Sequence, residues 1–159
     1  MTHAQNHRGA APVCAINELP ELEAAAVMYL RLWCDSPDGQ AEVWRDYHSH
    51  FGGEDAKARM SDFEQLMSVV LNHARRPLQR HQITCKCVGG DENAFANFVV
   101  AAAVGDREDA MLFAANLVRP DMSFTAASMA EPVGLALAQM VMRGSLGPQF
   151  PNPTSITRH

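Results

Sequence analysis

His81, Cys85 and Cys87 fall within seven residues of one another, in the run HQITCKC. One imidazole and two thiols so close together are soft donors. They suit zinc or another thiophilic ion better than they suit a turn, where Gly, Asn, Asp and Ser would serve. Three donors leave a tetrahedral ion one short. His73, shortly before the run, and His48, on a stretch that reads as an apolar helix face, are the candidates for the fourth. The expectation is therefore a zinc site made of His81, Cys85 and Cys87 with His73 or His48. Its spacing departs from the common structural zinc patterns, which use two separated C-x-x-C or H-x-x-x-H knuckles, since only one C-x-C pair stands here.

Two other chemistries compete for the same stretch. Lys86 lies between the thiols and a helix start follows them, so local positive charge would favour a reactive thiolate. Dithiol redox proteins, however, usually carry C-x-x-C beside a βαβ pattern, and neither is present. The second competitor is electrostatic. Between Glu64 and Asp91 there is no acidic residue, while Arg75, Arg76, Arg80 and Lys86 all fall in that interval. The alternative reading is thus a metal-free adaptor that binds an acidic or phosphate-bearing partner through segment 75–86. No aromatic residue is interleaved there to stack on bases, and a net charge of −5 argues against a nucleic-acid footprint.

Recognisable catalytic motifs are missing: the sequence has no P-loop, no dinucleotide-binding glycine pattern, no G-x-S-x-G and no H-E-x-x-H. Asp91 or Glu92 could act as a base beside an open zinc position, but no catalytic residue is assigned. The leading reading is a small zinc-binding protein with a regulatory or interaction role rather than an enzyme.

The elements that must position these residues read as helices. With 159 residues, 47% of them apolar and 19% charged, the chain can bury one core without help from metal or disulfides. Asn17 and Pro20 open a helix that runs to about Cys34, and Ser36-Pro37-Asp38-Gly39 closes it. Trp44, Tyr47, His48 and Phe51 share the face of a second helix, ended by Gly52-Gly53. Ser61 and Glu64 form a capping box for a third, whose stripe of Phe63, Leu66, Met67, Val70 and Leu71 leads to Arg75, Arg76 and the stop at Pro77. Residues 77–90 show no periodicity and form a long central loop. Segments 91–104 and 106–118 read as a helical hairpin, the first of them apolar nearly all round. Ser128 and Glu131 cap a last helix with Pro132 in its first turn.

The sum is an all-α, single-domain bundle of about six helices: a flexible segment over 1–15, a helical domain over 16–144 and a disordered tail over 145–159. Residues 1–11 contain no apolar run of the secretory kind. The longest apolar stretch, 95–104, is interrupted by Asn97 and too short to span a bilayer, so no membrane association is expected. A cytoplasmic location follows as the expectation, with Cys14, Cys34, Cys85 and Cys87 as thiols or ligands. Ala130, Gly134 and Ala138, at four-residue spacing, offer a side where a partner helix could approach, which points to a homodimer.

Overall fold

Six α-helices carry the chain in the computed structural model, which describes residues 8–144. They are α1 (Glu21–Asp35), α2 (Pro37–Phe51), α3 (Gly53–Asn72), α4 (Gly90–Ala103), α5 (Arg107–Leu117) and α6 (Ser123–Met142). The architecture is the all-α bundle the sequence called for. Its middle is α4, which packs against α1, α5 and α6, while α3 lies against α2 and α6. The reason is composition: Phe95, Ala96, Phe98, Val99, Ala101 and Ala102 are buried, so α4 has no apolar side to spare for solvent. Helix α1 is buried in the same way, with every residue from Ala25 to Leu32 inside. Arg31 falls in that run.

Local chemistry sets the helix ends. Ser36 accepts a hydrogen bond from the Gly39 backbone N–H at 3.1 Å, and Pro37 takes the first position of α2. The turn expected to close α1 therefore also opens α2, with one residue between the helices. Gly52, at φ 62°, stops α2 where expected. Helix α3 does not begin at Ser61. It is already running from Gly53, and the Ser61 hydroxyl accepts from the Gln65 side chain instead. Nor does α3 reach Arg75 and Arg76, because the chain beyond it pairs sideways with the end of α5: Arg75 N–H donates to Leu117 O and Arg119 N–H to His73 O, both at 3.0 Å. Helix α6 begins five residues before the expected capping box, with Pro132 inside it. Packing of Ala126, Ala127, Ala130 and Val133 carries the helix through the hydrogen bond that proline cannot make.

The small-residue side of α6 faces inward. A Cβ on Gly134 would stand 2.6 Å from the Val99 carbonyl and 2.8 Å from the Ala103 side chain, and Ala130 is fully buried. The surface that the sequence offered to a second copy is taken by α4 of the same chain, with Ala138 half-buried at its edge.

Two short strands complete the fold, where the sequence showed no strand signal. β1 (Pro12–Ala15) and β2 (Cys87–Gly89) pair antiparallel, with Cys14 opposite Val88 and Ala15 opposite Cys87. The pairing continues in the Ile16 N–H, which donates to Lys86 O at 2.7 Å. Residues 8–15, expected to be flexible, thus form a short 3-10 turn (Arg8–Ala10) and a strand against the Cys-containing loop. Residues 1–7 and the expected tail 145–159 lie outside the described residues. Among the described residues no helix is long and apolar enough to cross a membrane.

Candidate functional site

Arg31 organises the loop from beneath. Its side chain is fully buried, and its Nε and Nη2 donate to the two carboxylate oxygens of Glu92 at 2.8 and 2.9 Å, the bidentate fork that a guanidinium and a carboxylate form best. Its outer edge grips the loop backbone: Nη1 donates to the Cys85 carbonyl at 2.7 Å and Nη2 to the Cys87 carbonyl at 2.6 Å.

Glu92, in the first turn of α4, completes the clamp from the acceptor side. Oε1 also accepts the His81 N–H at 2.7 Å, and Oε2 the Gly89 N–H at 3.0 Å. Burial by itself would push this carboxyl up. Hydrogen bonds from Arg31 and from the Gly89 and His81 backbones, together with the Arg31 charge, more than offset it and hold Glu92 below the ordinary value.

Asp91 does the same for the start of the loop. It accepts both Nη atoms of Arg76, at 2.9 and 2.7 Å, and the Gln79 N–H at 2.8 Å. Arg80 Nη2 reaches back to the Cys34 carbonyl at 2.9 Å. Two carboxylates and three arginines thus hold a stretch that has no helix or long sheet of its own to satisfy its backbone.

On that platform His81 and Cys85 meet. The Cys85 Sγ lies 3.4 Å from His81 Nδ1, and His81 Nε2 lies 2.8 Å from the Ala10 carbonyl. A carbonyl can only accept, so Nε2 carries the proton and donates it. In the neutral ring that leaves the Nδ1 lone pair facing the thiol. A third group orienting a base that faces a sulfur is the arrangement by which nucleophilic thiols are activated. Gly89 makes room for the imidazole, because a Cβ there would stand 3.2 Å from the ring.

The other residues of the expected zinc site lie elsewhere. Cys87 is exposed on β2 and meets Arg31 through its carbonyl. His73 caps α3, and its Nδ1 accepts from Arg119 Nη2 at 3.0 Å. His48 is exposed on α2, stacked on Trp44, with its Nδ1 on the Trp44 carbonyl at 2.9 Å. The structure therefore brings together two of the five named residues. Among the described residues no group of three or more His, Cys, Asp or Glu side chains is placed to hold a metal ion. All four cysteines are free thiols. Cys34 is pushed up by burial, which the nearby Arg80 charge only partly opposes, and Cys14 by burial and by Glu18.

The basic surface of the alternative reading is partly spent. Arg76 and Arg80 are committed to Asp91 and to the Cys34 carbonyl, which leaves the exposed Arg75 and Lys86 as its outward charges. Arg31 was the residue that sequence reasoning missed. Its signal was a lone charge in the otherwise apolar run AAAVMYLRLW, which a helix buried on every side converts into an internal ion pair.

Compared with known proteins, the chain matches no family model, no curated protein and no solved structure.

Proposed function

We propose that this is a small regulatory protein whose working group is the Cys85 thiol, with His81 as the base that receives its proton. The observation that supports this is the fixed direction of the imidazole: Nε2 is committed to Ala10, so Nδ1 is available to sulfur at 3.4 Å. Such a thiol reacts with soft electrophiles, and its free state fits a reducing compartment, the cytoplasm. Alkylation with iodoacetamide, followed residue by residue by mass spectrometry, tests the reading. Cys85 should react faster than Cys14, Cys34 and Cys87, and His81→Asn should slow it by about a hundredfold. A Cys85 that reacts no faster in the folded chain than in the denatured one would overturn the proposal.

A second reading, closer to the sequence expectation, places a thiophilic ion such as zinc on the same two atoms. Zinc bonds of about 2.3 Å to sulfur and about 2.0 Å to nitrogen put tetrahedral ligands roughly 3.5 Å apart, close to the observed separation, and a carbonyl on the far nitrogen is the usual brace of a ligating imidazole. Elemental analysis decides between the two. Zinc that co-purifies with the protein and is lost in Cys85→Ser would favour the ion; metal-free protein would leave the thiol reading alone. The acidic-partner adaptor is the weakest of the three, because two of its four basic side chains already have partners within the chain.

A further inference from the structure

Cys87 stands two residues beyond Cys85, exposed where its neighbour is half-buried, and the carbonyls of both residues hang on the single guanidinium of Arg31, at 2.7 and 2.6 Å. Between them, the Lys86 carbonyl accepts from the N–H of Ile16, the residue after β1. The peptide units that separate the two sulfurs are therefore held from below by α1 and from the side by Ile16, just after β1.

We propose that Cys85 and Cys87 form an oxidation switch: a peroxide oxidises Cys85, Cys87 closes a disulfide onto it, and the closure pulls the loop off Arg31. The proposal rests on the reading of Cys85 as the reactive thiol. In the first step the Cys85 proton passes to His81 Nδ1 and the sulfur attacks one peroxide oxygen. The S–O bond forms as the O–O bond breaks, and the departing oxygen takes the proton back from His81 to leave as water or an alcohol. In the second step the Cys87 sulfur attacks the Cys85 sulfenic sulfur. The S–S bond forms, the S–O bond breaks, and hydroxide leaves with the Cys87 proton as water. Two thiols have then lost two electrons and two protons to one peroxide.

The mechanical consequence comes from disulfide geometry. A bridge needs Cβ atoms about 3.5–4.5 Å apart. Here one side chain turns towards His81 and the other stands exposed on β2, so closing the bridge requires the peptide units from 85 to 87 to turn. Their carbonyls then leave Arg31, and the Lys86 carbonyl leaves the Ile16 N–H.

The test uses the full-length protein with stoichiometric hydrogen peroxide. Mass spectrometry should show the loss of two hydrogens confined to the peptide that holds residues 85 and 87. In Cys87→Ser, dimedone should trap a sulfenic acid on Cys85. Hydrogen exchange of the Ile16 amide, held in the reduced protein by its bond to the Lys86 carbonyl at 2.7 Å, should rise by about tenfold on oxidation, as expected for losing one hydrogen bond. Rapid, His81-dependent alkylation without an 85–87 disulfide would overturn the switch and leave the reactive thiol standing; slow alkylation would remove both. A disulfide that forms without faster exchange at Ile16 would overturn the movement of the loop.

Discussion

At the scale of single residues, the Arg31–Glu92 pair is where the loop is won or lost. A buried ion pair costs desolvation on both sides and holds only if the remaining donors and acceptors are satisfied. Here the outer guanidinium N–H groups meet two loop carbonyls and the carboxylate meets two loop N–H groups. Removing one partner strands the other, so Glu92→Gln should cost about 3–5 kcal/mol in urea unfolding at neutral pH. The sign of the pH dependence follows from the lowered Glu92 value. Its contribution is fully present above the ordinary glutamate value and is lost as pH falls through the lower folded value. Stability should decline towards acid, and E92Q should flatten that decline. An unchanged acid slope in the variant would assign it to other carboxylates.

At the scale of elements, α4 serves both the loop and the core: its first turn supplies Asp91 and Glu92 to the loop, and its body fills the core. Its seat against α6 depends on Gly134, where a side chain would strike the Val99 carbonyl. Gly134→Val should therefore destabilise the fold by about 1–3 kcal/mol, read by thermal or chemical unfolding. The same substitution at an open surface position would cost far less, so a neutral result would mean that α6 can shift away from α4. The loop between α3 and α4 owes its order to protein groups, through Asp91, Glu92 and Arg31. Treatment with a chelator should leave tryptic protection at Arg80 and Lys86 unchanged, which limited proteolysis would check directly.

At the scale of the whole molecule, the N-terminal segment reaches over the bundle to hold the chemical pair. Ala10 and His81 are seventy-one residues apart in sequence, yet the Ala10 carbonyl fixes which imidazole nitrogen faces Cys85. Deleting residues 1–11 removes that brace and none of the six helices. Helical circular dichroism should stay close to that of the full chain, while alkylation of Cys85 should slow. If the rate is unchanged, the imidazole keeps its direction without Ala10.

The sequence by itself determined the helices and where the soft side chains cluster, because both are local. Helical periodicity and glycine stops such as Gly52 are set within a few residues, and His81 and Cys85, four apart, were bound to be neighbours in any tight turn. Tertiary structure decided what those side chains face. Cys87 is exposed, His48 turns to the Trp44 carbonyl four residues back, and His73 pairs with Arg119, forty-six residues away. The basic stretch from Arg75 to Arg80 looked unopposed, since its partners lie beyond the loop at Asp91 and on α1 at Cys34. Arg31 is passed over when the sequence is read alone; burial of its helix on every side leaves a guanidinium in the core. In low dielectric it must be paired, and the groups able to pair with it are a carboxylate sixty-one residues away and the backbone of the loop that carries the thiols.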